Sequence, residues 1–216
     1  MVFPKDVMRI GIDLDNTIIC YDELFGSLAW QQSLIPAGVQ WSKMQVRDYL
    51  RQTGREEAWT RLQGQAYGPA IEQALPFPGV KDFISRCRAD SIPVFIISHK
   101  TREPFIGPRF DLHAAAMGWL ERYGFFSASV GLTREDVFLE LAKADKLGRI
   151  SEQACSYFID DLPEIFDDAA FPTGVDRYLF SSADAMERDG QSHAGCVNRF
   201  SSWFDLSKLL FQEVMP

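Results

Sequence analysis

Short runs of apolar residues that end abruptly in polar residues recur along the chain. Three such runs are clear, at residues 8–12, 93–97 and 156–159. They are rich in β-branched and aromatic residues and show no polar alternation, which is typical of strands buried on both faces of a sheet. Further runs at residues 137–139 and 177–180 predict two more strands.

Helical patterns separate these runs. Apolar residues at helical spacing predict helices over residues 80–90 and 112–123, and a closing helix over residues 205–214. Strands that alternate with helices favour a parallel sheet covered by helices on both faces. The expected fold class is therefore α/β, a doubly wound, Rossmann-like parallel sheet.

Residues 21–76 interrupt this alternation, because no run in them resembles a strand. Their pattern predicts four helices, at residues 22–32, 42–53, 56–67 and 69–74. Three tryptophans can supply a small core there, namely Trp30, Trp41 and Trp59. We interpret the segment as an all-helical cap inserted after the first strand, with residues 1–20 and 77–216 forming the α/β core. The alternative, that these helices belong to the main core, stays open.

Composition narrows the range of partners. The chain has 216 residues and a formal net charge of −8, which argues against a nonspecific nucleic-acid or anionic-membrane binder because phosphate groups require clustered Lys and Arg. No apolar run is long enough to span a membrane. The N-terminus lacks a signal-type hydrophobic core, and four dispersed cysteines predict reduced thiols. We expect a cytoplasmic protein that binds a small molecule; the oligomeric state is not predicted.

The ends of the three clear runs carry the candidate chemistry. Ligands of open parallel sheets bind at the carboxyl ends of the strands, so Asp13, Ser98 and Asp160 are expected to converge. Asp13 and Asp15 are two residues apart, and an extended chain points both carboxylates to one side. One carboxylate can then attack as a nucleophile, while its neighbour donates a proton to the leaving group and later activates water.

A hard cation accounts for the remaining acids. Mg²⁺ prefers oxygen ligands, usually one or two carboxylates together with water and substrate phosphate. Asp13 and Asp160 are the expected direct ligands, supported by Asp161 and Glu164. The sequence therefore predicts a Mg²⁺ cofactor, to which a phosphate group of a substrate could be a further ligand.

Several donors are placed to hold such a substrate. The Ser98 hydroxyl can bind phosphoryl oxygens, and either Lys143 or Lys146 can balance their charge. Further donors follow Ser98 directly and can recognise an anionic substrate; these are His99, Lys100 and Arg102. The alternative interpretation of these three residues is an exposed polar loop.

Taken in order, these residues resemble the four motifs of the haloacid dehalogenase (HAD) superfamily. The segment Asp13-Leu14-Asp15-Asn16-Thr17 matches the first motif, Asp-x-Asp-x-Thr, and an apolar strand ending at Ser98 matches the second. The third, basic motif fits Lys143 or Lys146, and the fourth fits Asp160-Asp161 with Glu164. The resemblance covers nearly the whole chain, and residues 21–76 resemble the small helical cap that many members carry between the first two motifs.

The resemblance implies roles for these residues. Asp13 would form an aspartyl-phosphate, and Asp15 would be the general acid and base. Mg²⁺ would lie on Asp13, Asp160 and the backbone carbonyl of Asp15, with Asp161 nearby. Thr17 would either orient the loop that carries Asp15 or cap a helix, and Lys143 is the favoured lysine of the third motif.

A phosphatase that acts on a small phosphorylated metabolite is the function that the resemblance favours. Dehalogenation is disfavoured because dehalogenases lack the second carboxylate, which is Asp15 here. A 5′-nucleotidase-like phosphatase remains an alternative, and so does a sugar-phosphate mutase or phosphotransferase using the same residues. A noncatalytic protein that keeps the fold is the remaining alternative.

Overall fold

The computed structural model describes residues 8–37, 41–181 and 197–211. The chain divides into two compact units. The sheet unit comprises Met1–Ile18, Pro76–His99 and Phe125–Pro216, and the helical unit comprises Ile19–Leu75 and Lys100–Gly124.

Eight strands lie in the described ranges. They are β1 (Ile10–Ile12), β2 (Ile19–Cys20), β3 (Leu75–Pro76), β4 (Val94–His99), β5 (Val137–Glu140), β6 (Tyr157–Asp160), β7 (Asp176–Phe180) and β8 (Val197–Phe200). Six of them form a parallel sheet in the order β5-β4-β1-β6-β7-β8, and β2 pairs with β3. The five predicted strands of the sheet are confirmed, whereas β2, β3 and β8 were not predicted.

Eight α-helices lie in the same ranges. They are α1 (Asp22–Gln31), α2 (Lys43–Gln52), α3 (Glu56–Tyr67), α4 (Val80–Ala89), α5 (Leu112–Arg122), α6 (Lys143–Glu152), α7 (Pro163–Phe166) and α8 (Trp203–Phe211). The helix predicted at residues 69–74 forms only a 3₁₀ turn at Ile71–Gln73. Residues 212–214 of the predicted closing helix lie outside the described residues. The predicted α/β class is confirmed: the parallel sheet is flanked by helices in a Rossmann-like fold.

Strand β1, at the centre of the sheet unit, is closely packed on its neighbours. All three residues of β1 are buried, and a Cβ atom on Gly11 would lie 2.6 Å from the Phe158 ring. Glycine is therefore the residue that lets the β6 ring pack against β1. An apolar cluster of this unit is contributed by α6, α7 and strands β4, β6 and β7, and includes Phe95, Leu147, Ile150 and Phe166.

Three helices and an aromatic cluster form most of the helical unit. Ser42 begins α2 with a reciprocal capping box to Gln45, which explains why this polar helix starts where it does. Trp59 is buried, but Trp30 is 59% exposed, so the prediction of Trp30 as a core residue is wrong. It lies on the solvent side of α1, one residue after buried Ala29.

Helix α5 also belongs to the helical unit. The Trp119 indole donates to the Ala74 carbonyl at 2.8 Å, and the Tyr123 hydroxyl donates to the Glu72 carbonyl at 3.0 Å. Residues 100–124 therefore group with the insertion, whereas the sequence placed them with the core. An apolar helix face shows that a helix is packed; it does not show against which element it packs.

Two sequence predictions concern the chain as a whole. Within the described residues, every helix is too short or too polar to cross a membrane. Cys20, Cys87 and Cys155 are free thiols, and Cys196 lies outside the described residues.

Candidate active site

Three predicted polar residues lie on adjacent strands of the sheet unit. Strand β1 lies between β4 and β6, and Asp13 directly follows β1. Ser98 lies near the end of β4, and Asp160 is the last residue of β6. Their side chains are almost fully buried. This is the point where the strand order reverses, which is where open α/β sheets bind ligands.

A lysine joins two of these residues. Lys146 Nζ lies 2.6 Å from Asp13 Oδ1 and 2.6 Å from Asp160 Oδ2. The lysine side chain is only 2% exposed. Burial of charged groups is tolerated when they are paired and hydrogen-bonded, and both conditions are met here. In helix α6 the lysine lies on the same face as buried Ile150, which is one turn further along.

Burial and the charge of the paired group shift the pKa values of Asp160 and Lys146 in opposite directions. Burial raises the pKa of the Asp160 carboxyl to about 7, although the Lys146 ammonium group lowers it. Burial alone would lower the pKa of Lys146, but Asp13 and Asp160 outweigh this effect and hold it above its usual range. The lysine is therefore a permanent cation at neutral pH, whereas Asp160 titrates near neutrality.

Lys143, the lysine favoured from the sequence, lies elsewhere. It is the first residue of α6, its side chain is 45% exposed, and its ammonium group pairs with Asp168. The structure thus corrects the preference for Lys143, since Lys146 occupies the position between the carboxylates. By spacing, both lysines lie on the apolar face of α6. They differ in burial, because Lys143 is at the exposed start of the helix and Lys146 lies one turn further into the fold.

Asp13, Asp160 and Asp161 form a potential cation site. One carboxylate oxygen from each lies within 4.8 Å of the others. When all three carboxylates are ionised, the group carries two net negative charges together with the Lys146 ammonium, and a divalent cation would balance them. This all-oxygen donor set fits a hard divalent cation such as Mg²⁺. Glu164, a predicted support, is exposed in the first turn of α7 and is not part of this group.

The loop after β1 holds Asp15 in a defined turn. The Asp13 amide donates to the Ile159 carbonyl at 2.9 Å, and the Ile18 amide donates to the Leu14 carbonyl at 3.0 Å. Asn16 adopts a left-handed conformation, with φ of 61°, which Asn tolerates better than most residues. Asp15 is partly exposed at this turn, and its carboxylate is outside the three-acid group.

Thr17 lies at the end of the same turn. Its side chain is fully buried, and its hydroxyl has no hydrogen-bond partner within the part of the chain that the structure describes. The alternative role of Thr17 as a helix cap is wrong, because α1 begins at Asp22 with Tyr21 at the N-cap. A buried hydroxyl without a partner in the protein is suited to a ligand or to water.

The predicted substrate-binding residues are divided between the two units. His99 belongs to the sheet unit, where its exposed ring donates through Nε2 to the Leu141 carbonyl at 3.1 Å. Lys100 and Arg102 belong to the helical unit. Lys100 is 4% exposed and its Nζ lies 4.8 Å from the centre of the Tyr67 ring. Arg102 is exposed and pairs with Asp111 at 3.5 Å.

Similar folds occur among solved structures. No protein-family model and no curated protein matches the chain. A HAD family hydrolase from Deinococcus radiodurans R1, solved with phosphate and sodium, is 14% identical, with a TM-score of 0.56 over 97% of each chain. The HAD-hydrolase YfnB from Bacillus subtilis, bound to magnesium, is 13% identical, with a TM-score of 0.53 over 95% of this chain and 99% of its own.

A third similar structure carries a different activity in its name. The protein tyrosine kinase A of Mycobacterium tuberculosis is 16% identical, with a TM-score of 0.61 over 95% of this chain and 99% of its own. Fold and site together define an α/β protein with a carboxylate and lysine centre at the switch point of its sheet. The fold is similar to that of solved structures named as HAD hydrolases, in agreement with the resemblance seen in the sequence.

Proposed function

We propose that the protein is a Mg²⁺-dependent phosphatase of the HAD superfamily that hydrolyses a small phosphorylated metabolite. The observation that carries this proposal is the buried group of Asp13, Asp160 and Lys146, with a second carboxylate, Asp15, two residues after Asp13. The phosphate and the magnesium named in two structures of similar fold support it. The proposal extends to a cytoplasmic location and a small-molecule partner.

Asp13, Asp160 and Asp161 would hold the cation, together with the backbone carbonyl of Asp15. When bound there, Mg²⁺ supplies positive charge that stabilises the phosphoryl oxygens and orients them. Lys146 keeps the neighbouring carboxylates from repelling one another, because it contacts both Asp13 and Asp160 at 2.6 Å. The Ser98 and Thr17 hydroxyls are the buried neutral donors proposed for the phosphoryl group or its water.

In the first step, a carboxylate oxygen of Asp13 forms a bond to phosphorus and the ester P–O bond breaks. Asp15 donates its proton to the departing oxygen, so that the alcohol leaves as a neutral molecule. The product is a mixed anhydride of phosphate with Asp13. Asp15 suits the proton transfer because it is partly exposed at the loop, while Asp13 is buried.

In the second step, the ionised Asp15 takes a proton from water as the water oxygen attacks phosphorus. The bond between Asp13 and phosphorus breaks, inorganic phosphate leaves, and both carboxyl groups return to their starting protonation states. His99, Lys100 and Arg102 remain the proposed contacts for an anionic part of the substrate. They do not enter the bond changes.

Asp15 argues against dehalogenation. A halide leaves as a stable anion and needs no proton, so the proton-donating role of a second carboxylate has no use in the first step of that reaction. An alcohol leaving group requires the proton that Asp15 can donate. Transfer of the phosphoryl group to a sugar hydroxyl would use the same residues, and the identity of the acceptor separates it from hydrolysis.

Phosphate release tests the proposal directly. The panel consists of sugar phosphates, nucleoside monophosphates and an aryl phosphate, each assayed with and without Mg²⁺. We expect metal-dependent release that disappears in Asp13→Asn. If the folded protein binds Mg²⁺ but releases no phosphate from any of them, hydrolysis is excluded for these classes and a transferase becomes the better assignment.

Asp15→Asn tests the division of labour between the two carboxylates. We expect Mg²⁺ binding to stay nearly intact while turnover slows by roughly 10²–10⁴, because the amide cannot exchange the proton. Glu164→Gln is the matched control, since it removes a nearby acid that is exposed and lies outside the cation group. Loss of Mg²⁺ binding in Asp15→Asn would instead make the Asp15 side chain a metal ligand.

A further inference from the structure

Trp203, the first residue of α8, contacts the catalytic loop through its indole. Its Nε1–H donates to the Thr17 carbonyl at 3.2 Å, across a sequence separation of 186 residues. The side chain is 1% exposed. The bond is therefore sheltered from water, which cannot readily replace the indole as a donor.

The Thr17 carbonyl lies in the turn that carries Asp15. Two backbone hydrogen bonds hold the turn at its start, at Asp13 and Leu14. After the turn, the Ile18 carbonyl accepts from the Phe77 amide at 2.9 Å. Between these points the indole of Trp203 holds Thr17, so the backbone is fixed on both sides of Asp15 and the left-handed Asn16.

Aromatic neighbours fix the direction in which the indole points. The Trp203 ring lies 5.1 Å from the Phe83 ring, 5.6 Å from the Phe200 ring and 5.9 Å from the Phe180 ring. These rings come from α4, β8 and β7 of the sheet unit. A side chain enclosed in this way has one orientation, so its N–H is aimed at Thr17 before any ligand binds.

We propose that Trp203 is a positioning residue for Asp15. Helix α8 would then hold the catalytic loop in place, in addition to packing against the sheet unit. The proposal rests on the proposed function, in which Asp15 donates and accepts the proton. The indole touches no substrate; it acts through the Thr17 carbonyl. Proton transfer depends steeply on placement, and a shift of about 1 Å can cost roughly 10²-fold in rate.

Trp203→Phe tests this role, with Trp119→Phe as a matched control. Trp119 is also fully buried, and its indole also donates to a backbone carbonyl, that of Ala74 at 2.8 Å. We expect kcat for phosphate release to fall roughly 10- to 100-fold in Trp203→Phe, with KM within about twofold because the substrate contacts remain. In Trp119→Phe we expect kcat close to that of the wild type.

Hydrogen exchange gives a readout that does not need activity. We expect amides of residues 14–18 to exchange faster in Trp203→Phe and to be unchanged in Trp119→Phe. If the Phe variant fails to fold, replacement of Trp203 by 3-benzothienylalanine keeps the ring shape and removes only the N–H. Unchanged exchange in residues 14–18, or equal loss of kcat in both variants, would overturn the proposal. If the wild type releases no phosphate, the proposed function fails while exchange still decides the role of Trp203.

Discussion

Lys146 is the residue on which the charge arrangement of the site depends. Its ammonium group contacts two buried carboxylates, Asp13 and Asp160, at 2.6 Å each. Lys143, three residues earlier on the same helix, pairs instead with Asp168 at the surface. The two lysines have the same chemistry and different surroundings, so they form a natural pair for comparison.

Replacement of each lysine by Met distinguishes their roles. Lys146→Met leaves two buried carboxylates without their cation, so we expect the metal-free protein to lose about 3–5 kcal/mol in free energy of unfolding. We expect phosphate release to fall by roughly 10²–10³. Lys143→Met is expected to change both quantities little, because exposed ion pairs contribute about 0–1 kcal/mol. Urea unfolding and phosphate release measure the two effects, and equal losses in both variants would contradict this assignment.

Asp160 makes cation binding depend on pH. A carboxyl group whose pKa is raised in the folded state stabilises that state at low pH. This contribution is lost as the pH rises from about 4, the ordinary value, to about 7, the value in the folded protein. Mg²⁺ requires the ionised carboxylate and therefore competes with the proton.

We expect the Mg²⁺-induced increase in Tm to grow between about pH 5 and pH 7 and to level off above that range, because Asp160 is then ionised. Thermal unfolding with and without Mg²⁺ at constant ionic strength measures it. Sodium chloride at the same ionic strength is the control. A Mg²⁺ effect that is the same at pH 5 and pH 8 would show that no carboxyl group titrates with the cation.

The sequence identified most of the acidic residues but not which lysine accompanies them. Asp13 and Asp160 could be predicted because each follows a buried apolar run, and parallel strands bring their carboxyl ends together. Lys143 and Lys146 both fit the apolar spacing of one helix. Their difference arises from depth in the fold, which a one-dimensional pattern does not contain.

At the scale of elements, β1 shows how packing sets residue identity. Gly11 lies in the centre of the sheet, where a Cβ atom would approach Phe158 Cδ2 to 2.6 Å and Cys155 Sγ to 3.0 Å. Both neighbours are buried members of the apolar cluster formed by α6, α7 and the adjoining strands. A side chain at this position must therefore displace the Phe158 ring that packs against β1.

We expect Gly11→Ala to lower the free energy of unfolding by about 1–3 kcal/mol, the usual cost of overpacking a core. Gly118→Ala is the matched control. Gly118 lies inside α5, with open space around the position of its Cβ, so the change is expected to stabilise the helix by about 0.5–1 kcal/mol. Denaturant unfolding of both variants measures the difference, and a neutral Gly11→Ala would mean that the Phe158 ring can move aside.

Long apolar or amphipathic runs were predictable as elements, and short ones were not. The bounds of α3 agree with the predicted helix at residues 56–67. The two-residue strands β2 and β3 were missed, because two residues carry no periodicity. Strand β8 was also missed: its sequence, Val-Asn-Arg-Phe, has two polar residues in four, which is common for a strand at the edge of a sheet.

At the scale of the whole molecule, the grouping of residues 100–124 with the helical unit predicts which elements unfold together in local unfolding. Leu62 is fully buried in α3, and Ile84 is fully buried in α4 of the sheet unit. Each can be truncated to Ala at a cost of about 2–5 kcal/mol. The two variants therefore destabilise one unit at a time.

In Leu62→Ala we expect faster hydrogen exchange in α3 and α5, with β1 and β4 little changed, because contiguous packed elements open together. In Ile84→Ala we expect the reverse. Native-state exchange read by mass spectrometry measures both. The assignment of α5 to the helical unit is contradicted if α5 exchanges faster in Ile84→Ala and not in Leu62→Ala.

The surroundings of Lys146 also make it a chemical reporter. Acylating reagents react with a neutral, accessible amine, and Lys146 is both buried and held as an ammonium ion. Lys208, whose side chain is 72% exposed, is available to the same reagents in the folded protein. Acylation of Lys146 therefore counts only those molecules in which the centre has opened, and it reports the integrity of the site without any substrate.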